Sequence, residues 1–392
     1  METKDAGKYI PQLTGIRAIS AYMVFVHNVS LPAGVLPPIL AAMASEMHVG
    51  VTLFFVLSGF LIYWNYADTV ELNGAWLANY LTNRLARIYP IFFLMTCATL
   101  MMQMNMDSMD WFLNLTFLRG FSEPLKYTGV PQGWSLTPEW CFYVLAPFFF
   151  VFIKRRSILW PLLGSYLLGG LLMVVGHFVN FYHFFRGWDF MLGSTFFGRC
   201  FEFFAGVFLA RYLSEGRAPD RSRKAPLYTW GALGLIALTV YAMAKLESPD
   251  YQYGGYSPLG RVLNNFVLPV FYCLFFFGLV TERSLPRHIL ASSTMDLLGK
   301  SSYVFYLIHT GLFISLLSNF LPMGSFLTSF NSVGAYIIAF ILLNLAAIVI
   351  YFVIERPANK FIRRTMAPRA ARADAPAPET LPVDKLPEGR TP

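Results

Sequence analysis

The stretch Leu13–Asn28, LTGIRAISAYMVFVHN, is an apolar run with one arginine near its start and one histidine near its end. It is typical of a membrane-spanning helix that contains Arg17 and His27. An ionisable side chain in hydrocarbon costs about 3 kcal/mol or more, so such groups usually face a partner, a substrate or water. With a rise of ~1.5 Å per residue, the two groups lie ~15 Å apart along the axis, half of the ~30 Å hydrocarbon thickness. This spacing favours a reaction whose two substrates approach from opposite membrane sides.

The composition indicates a polytopic membrane protein. Of the 392 residues, 56% are hydrophobic, 17% aromatic and only 13% charged, whereas a soluble domain carries about 25% charged residues. Apolar runs of 18 residues or more predict an all-α bundle of membrane-spanning helices. The four cysteines lie in apolar runs without metal-ligand spacing, so we expect small buried side chains and no metal site; they are Cys97, Cys141, Cys200 and Cys273.

The distribution of basic residues supports ten spans. Most Lys and Arg residues lie in alternate loops. The intervening loops carry only Arg119, Lys126, Arg186, Lys245 and Arg261, and two of them, 32–47 and 321–331, have none. This alternation fits the positive-inside rule with both termini cytoplasmic, and it explains the net charge of +8 without a nucleic-acid partner. The predicted spans are about 14–31, 48–66, 88–104, 135–153, 158–177, 190–210, 227–244, 262–280, 300–320 and 332–354.

We expect one membrane domain, residues 1–366, followed by a tail. The first residues are polar and lead directly into a long span, unlike a cleaved signal peptide. Residues 367–392 are rich in Pro and Ala and almost free of large apolar side chains. Such a segment cannot bury a core, so we predict a disordered cytoplasmic tail.

Two histidines and a small-residue pair stand out in the first two spans. His27 fits a general base, because imidazole titrates near neutral pH, or a hydrogen-bonding contact to another helix. His48, at the outer end of the second span, is a second candidate for proton transfer. Ser58 and Gly59 indicate either close helix packing or a helix break where backbone approaches a substrate.

The sequence NRLARIYP places Arg84 and Arg87 on one side of a helix, just before Pro90. Arginines three residues apart face the same way. Two guanidinium groups on one face favour phosphate binding, although basic residues at this end of a span are equally expected as an orientation signal.

The fourth span begins GWSLTPEWCFYV and contains Glu139 near its start. Thr137 could cap the helix, Pro138 could take its first position and Glu139 could follow in the first turn, which would explain all three residues as signals for the start of a helix. Alternatively, Glu139 is desolvated between aromatic side chains and takes part in hydrogen bonding or proton relay. Tyr143 lies one turn later on the same face.

Further polar groups lie in later spans. Arg199 and Glu202 are three residues apart and are predicted to form an ion pair within the bilayer. Tyr306 and His309 share one face of the ninth span.

These segments together resemble the integral-membrane acyltransferase-3 family, which O-acylates cell-surface polysaccharides and other acceptors. The resemblance runs through LTGIRAISAYMVFVH, VGVTLFFVLSGFLI, RLARIYP, GWSLTPEWCFYVLAP, RCFEFFAGVFLA, LGKSSYVFYLIHT and IERP. It covers residues 13–357 in the family's order, and the ordered set is more specific than any single motif.

The resemblance implies roles for five residues. Arg17 and His27 match the family's first-helix motif, Arg84 and Arg87 match its arginine pair associated with acyl-CoA, and Glu139 matches its motif acid. Two positions depart from the pattern. Nine residues, rather than ten, separate Arg17 from His27, and Thr52 stands where an acid is expected. On a helix, a residue at an offset of 11 lies on nearly the same face, whereas a residue at an offset of 10 lies ~80° away from it. Either the helix is therefore irregular, or Arg17 and His27 need not share a face.

The sequence therefore predicts a multi-pass O-acyltransferase of the bacterial inner membrane. Acyl-CoA, and most simply acetyl-CoA, is expected as donor substrate, with no permanently bound cofactor. Arg84 and Arg87, helped by Arg17, would hold its phosphates, and His27 assisted by Glu139 would deprotonate a carbohydrate or lipid-linked sugar. The alternatives are a transporter or flippase, and a membrane protein whose polar groups only join helices.

Overall fold

The computed structural model describes residues 9–29, 34–179, 181–217, 225–311 and 333–366. The predicted all-α class is confirmed. Within these ranges the β pairing consists of two isolated bridges, Ser122–Phe184 and Ser248–Tyr251.

The described residues form sixteen α-helices. In chain order they are α1 (Pro11–Asn28), α2 (Pro38–Ser45), α3 (Gly50–Tyr66), α4 (Gly74–Met102), α5 (Ser108–Leu115), α6 (Leu136–Arg155), α7 (Leu159–Val179), α8 (Trp188–Ser194), α9 (Phe196–Ser214), α10 (Leu227–Ala244), α11 (Pro258–Val262), α12 (Leu268–Thr281), α13 (Leu285–Leu290), α14 (Ser293–Ile308), α15 (Val333–Ile350) and α16 (Arg356–Met366). Two π-helical turns, Leu263–Val267 and Tyr351–Glu355, join α11 to α12 and α15 to α16.

Eight helical stretches among the described residues are long and apolar enough to cross a membrane, so the protein is multi-pass. They correspond to eight of the ten predicted spans. The first prediction coincides with α1, whose ionisable and amide side chains make it too polar for that set. The ninth, predicted from about 300, overlaps the second half of α14, which begins earlier, at Ser293. Its predicted end at 312–320 lies outside the described residues, as does the predicted tail at 367–392.

The most extensive contact between two described helices joins α3 to α9. A Cβ added to Gly59 would lie 2.0 Å from the carbonyl oxygen of Phe203, and one added to Gly206 would lie 2.0 Å from that of Val56. The rings of Phe55 and Phe203 stack beside this contact at 4.6 Å. Gly59 therefore serves close packing, whereas Ser58 donates a hydrogen bond to Glu139. Helix α3 continues without interruption through both residues, so there is no helix break at this pair.

Helix α1 lies at the centre of the bundle, against α3, α13 and α14. Glycines again allow the approach: a Cβ at Gly15 would lie 2.3 Å from the carbonyl oxygen of Leu290, and one at Gly299 2.0 Å from that of Thr14. On the far side of α14, the hydroxyl of Tyr303 donates to the carbonyl of Ile88 in α4 at 2.7 Å. Helices α1, α3, α4, α6 and α14 therefore surround one polar interior.

The start of α6 differs from the helix-cap interpretation of its sequence. Pro131–Ser135 forms a 3-10 turn that runs into α6 at Leu136, so Thr137 already lies inside the helix. The Thr137 hydroxyl instead donates to the carbonyl of Phe117. This bond ties α6 to the preceding loop and leaves the next turn, with Glu139, directed into the bundle.

A buried arginine organises that loop. The guanidinium of Arg119 donates to the side chain of Asn114 at 2.9 Å and to the carbonyl of Val130. Burial lowers the pKa of Arg119 to about 9. A side chain at Gly133 would collide with this guanidinium, since its Cβ would lie 2.2 Å from Nη2. Arg119 is thus a structural residue on the loop before α6.

We expect Gly206→Ala to destabilise the fold by on the order of 1–3 kcal/mol, because an added methyl group forces α9 away from α3. Thermal unfolding of the purified protein in detergent measures this effect. The matched control is Gly231→Ala in α10, where nothing lies within 4 Å of the added Cβ. Equal melting temperatures for the two variants would contradict the role assigned to the α3–α9 contact.

Candidate active site

Three cavities lie in series through the bundle. The arginine cavity, about 970 Å³, is lined by Arg17, Arg84 and Arg87. The histidine cavity, about 330 Å³, is lined by His27 and His48. Between them is the middle cavity, about 60 Å³.

Shared walls connect the three cavities. The middle cavity shares Arg17, Ser58 and Tyr143 with the arginine cavity. It shares Val51 and Tyr306 with the histidine cavity. The three cavities are therefore neighbours, and the smallest lies between the other two.

The two arginines of α4 differ in their contacts. Arg84 Nη2 donates to the hydroxyl of Tyr66 at 2.7 Å, and its guanidinium lies 5.0 Å from the centre of that ring. Arg17 and Arg87 line the same cavity but make no hydrogen bond or ion pair with any residue that the structure describes. Two unpaired guanidinium groups facing one cavity form a site for an anion.

Glu139 lies in the middle cavity, on the side of the arginines. Its carboxylate accepts a hydrogen bond from Ser58 at 2.8 Å and another from the Tyr143 hydroxyl. Among the described residues that line this cavity, Glu139 is the only carboxylate. Where the middle cavity meets the histidine cavity, the hydroxyls of Tyr306 and Ser135 form a hydrogen bond of 2.8 Å, which fixes the Tyr306 ring.

His27 is held in a defined tautomer at the histidine cavity. Its Nδ1 lies 2.5 Å from the carbonyl oxygen of Ser45. A carbonyl only accepts, so Nδ1 carries the proton of the neutral ring and Nε2 keeps a lone pair. The rings of His48 and Tyr253 lie 5.2 and 4.8 Å from the His27 ring. His27 can therefore accept a proton from a group bound in this cavity.

Glu46 fixes the loop on the far side of His48. Its buried carboxylate accepts from the backbone amides of Gly254 at 2.6 Å and Gly255 at 3.0 Å. The same carboxylate is 3.7 Å from Nδ1 of His48. Glu46 thus fixes the turn Gly254–Tyr256 and lies beside the second imidazole of the cavity.

The predicted ion pair between Arg199 and Glu202 forms, with Nε and Oε1 2.8 Å apart. Arg199 also donates to the hydroxyl of Thr52, which donates in turn to Asn264, at 2.8 and 2.7 Å. Asn264 donates to Asn265, whose amide reaches the carbonyl of Leu192 at 2.9 Å. This buried chain joins α9, α3, the first π-helical turn and α8, and it forms one wall of the histidine cavity.

His309 has both ring nitrogens engaged. Nδ1 donates to the carbonyl of Tyr306 at 2.7 Å, and Nε2 accepts from the side chain of Asn28 at 3.0 Å. As predicted, Tyr306 and His309 share a face, and their rings lie 5.7 Å apart. His309 is fully buried, so its place is to hold Asn28 and Tyr306 at the cavity wall.

Lys126 and an ion pair lie at the mouth of the histidine cavity. Lys126 faces the rings of Tyr127 and Phe190 at 5.1 and 5.3 Å. Partial burial lowers the pKa of Lys126. Arg261 and Asp189 form a salt bridge beside it.

A family model described as an acyltransferase domain, of the acyltransferase-3 type, matches residues 10–353. The chain belongs to the acyltransferase-3 family. The match extends from the start of α1 to the second π-helical turn and so includes all three cavities.

Two curated relatives carry related names. A peptidoglycan O-acetyltransferase, OatA of Listeria monocytogenes, is 25% identical over 177 residues, which are 39% of this chain and 26% of that protein. The acyltransferase MdmB of Streptomyces mycarofaciens is 24% identical over 181 residues, 40% of this chain and 43% of that protein. The alignments thus span less than half the length of these relatives. No solved structure matches the chain significantly.

In this acyltransferase, Arg17 and His27 line different cavities. Because α1 is a regular helix from Pro11 to Asn28, the offset of ten residues is not absorbed by an irregularity, and the two groups do not share a face. Asn28, at the offset of 11, also lines the histidine cavity. Glu139 and His27 contact different partners in different cavities, so the structure does not bring that predicted pair together.

Sequence reasoning missed Glu46, Asn28 and the Asn264–Asn265 pair. Signals for them were available: two consecutive asparagines inside an apolar span, and an acid two residues before His48 in a loop that lacks Lys and Arg. The other partners come from contacts between distant helices.

We expect Glu139→Gln to lower acyl transfer by about 10- to 100-fold, because it removes the carboxylate that accepts from Ser58 and Tyr143. Transfer rate and melting temperature are measured on the same purified sample. Glu215→Gln, which breaks an exposed ion pair with Arg211, is the matched control. Full activity of a folded Glu139→Gln variant would contradict a role in the reaction path.

Proposed function

We propose that this acyltransferase transfers an acetyl group from acetyl-CoA to a hydroxyl group of a cell-surface polysaccharide or glycolipid precursor. The observation that carries the proposal is the series of cavities, which leads from the unpaired guanidinium groups of Arg17 and Arg87 to the imidazole of His27. Transfer from an anionic donor to a hydroxyl group fits an anion site and a base that lie at the two ends of such a series.

The donor would bind in the arginine cavity, the largest of the three. Arg17 and Arg87 are available for the diphosphate, and Arg84 is oriented by Tyr66 beside them. The ring of Trp76 also lines the cavity and stacks on Tyr80 at 5.2 Å, which offers a rigid aromatic surface for adenine. The positive-inside prediction assigns this end of the protein to the cytoplasm of a bacterial inner membrane.

The chemistry would occur where the middle and histidine cavities meet. Nε2 of His27 takes the proton of the acceptor hydroxyl, whose oxygen attacks the thioester carbonyl. The new C–O bond forms, the C–S bond breaks, and the proton passes from the imidazolium to the departing CoA thiolate. Glu139 would orient Ser58 and Tyr143 along the donor's path and oppose the charge of the arginines.

The acceptor would bind in the histidine cavity. Side-chain amides of Asn28, Asn264 and Asn265 line it together with the aromatic rings of Trp134 and Tyr256. Amides and aromatic surfaces suit the hydroxyls and apolar faces of a sugar. The name of the peptidoglycan O-acetyltransferase relative supports acetyl as the group and a glycan as the acceptor class.

We expect His27→Ala to reduce CoA release in the presence of acceptor by about 10²- to 10⁴-fold, because the hydroxyl loses its general base. A thiol-reactive dye follows the released CoA. His177→Ala serves as control, since that residue is exposed on α7 and its ring contacts Phe178. Undiminished turnover by folded His27→Ala protein would remove His27 from the mechanism, and acceptor movement without CoA release would favour a transporter.

Arg87→Ala is expected to raise the KM for acetyl-CoA by about 10- to 100-fold, because a charge-assisted contact to phosphate is lost. The melting temperature should change little, since Arg87 has no described partner in the protein to lose. Arg156→Ala, an exposed substitution at the end of α6, is the control. An unchanged KM would place the donor phosphates elsewhere.

A further inference from the structure

A fourth cavity lies on the other side of the same arginines. The C-terminal cavity, about 300 Å³, lies between α1, α4, α14 and the start of α16. It shares Arg17 and Arg87 with the arginine cavity, and its remaining cationic wall consists of Lys300, Arg356 and Arg363.

The charges around this cavity are unbalanced. Among the described residues that line it, five are basic and one, Glu355, is acidic. Lys300 pairs with Asp296 at 2.6 Å. Arg356 and Arg363 make no hydrogen bond or ion pair within the part of the chain that the structure describes. A concave surface with this excess of guanidinium groups attracts a multivalent anion.

The two anion sites are adjacent but separate. Arg17 and Arg87 stand between them, so one ligand with two anionic groups could occupy both. Coenzyme A has this pattern, because its ribose carries a diphosphate at the 5′ position and a phosphate monoester at the 3′ position. The monoester carries a charge of about −1.5 to −2 at neutral pH, which suits Arg356 and Arg363 together.

We infer that the C-terminal cavity binds the 3′-phosphate of the CoA donor. This inference rests on the proposed function and adds that the protein selects donors by their 3′-phosphate. Donors that carry an acyl group without this phosphate, such as acyl-dephospho-CoA or a phosphopantetheine carrier, would bind more weakly. The second π-helical turn and α16 would thus serve donor recognition.

The test measures binding rather than turnover. The purified full chain, in detergent without added phospholipid, is titrated calorimetrically with CoA and with dephospho-CoA. We expect the wild type to bind CoA about tenfold more tightly than dephospho-CoA. The double variant Arg356→Ala/Arg363→Ala should lose this preference. Its affinity for CoA should fall about tenfold, and its affinity for dephospho-CoA should change less than twofold.

Arg364→Ala and Lys360→Ala are the matched controls, because both residues are exposed on the same helix and line none of the four cavities. They should keep the wild-type preference. Equal wild-type affinities for the two nucleotides, or equal weakening of both by the double variant, would overturn the inference while leaving the proposed function intact. Absence of binding by either nucleotide would instead overturn the acyl-CoA donor itself.

A phospholipid headgroup offers the same phosphate chemistry. A further experiment distinguishes binding of the nucleotide from binding of lipid. The titrations are repeated in nanodiscs of phosphatidylglycerol and in nanodiscs of phosphatidylcholine. A preference for CoA that persists in both supports the nucleotide as the ligand. Loss of that preference in phosphatidylglycerol alone, with tighter lipid binding by the wild type than by the double variant, would assign the cavity to anionic lipid.

Discussion

The contact between α3 and α9 is the constraint on which the interior depends. Two glycines bring these helices to backbone distance, and this approach sets Arg199 of α9 against Thr52 of α3. The opposite side of α3 then contributes Val51 and Ser58 to the cavities. Because a bilayer offers no water to a misplaced polar group, helix spacing and polar pairing have to agree. The glycine contact sets the spacing of α3 and α9 and also brings the polar partners Arg199 and Thr52 together.

Helix α1 separates two kinds of chemistry by length and by direction. Its cationic group lies at one end of the path and its imidazole at the other, and the regular helix turns them toward different walls. Electrostatic attraction for an anion and proton transfer are thereby kept apart, because the guanidinium groups of Arg17 and Arg87 do not line the cavity of the His27 imidazole. Glu139 stands between them, on the side of the cations.

The fold class, most helix positions and the Arg199–Glu202 pair followed from the sequence, because apolar length and an offset of three residues are local properties. For Glu139, the offset of four residues placed Tyr143 on the same face, but the partner Ser58 did not follow from the sequence, since it belongs to another helix and the contact depends on how α3 and α6 pack. The alternative in which Thr137 caps the helix was wrong, because the turn at Pro131–Ser135 continues into α6 and the helix begins before Thr137. Glu46 was missed because its hydrogen-bond donors are backbone amides of a loop more than 200 residues away in the sequence.

The narrow middle cavity has a consequence for the membrane itself. Two wide openings that approach each other within a bilayer would form a leak for ions and protons if they joined freely. Val51 and Tyr306 lie between the middle and histidine cavities, and Tyr306 is held by a hydrogen bond with Ser135. The middle cavity itself has a volume of only about 60 Å³. Positive guanidinium groups beside it repel small cations. The narrow centre can therefore limit the passage of ions and protons between the two wider cavities.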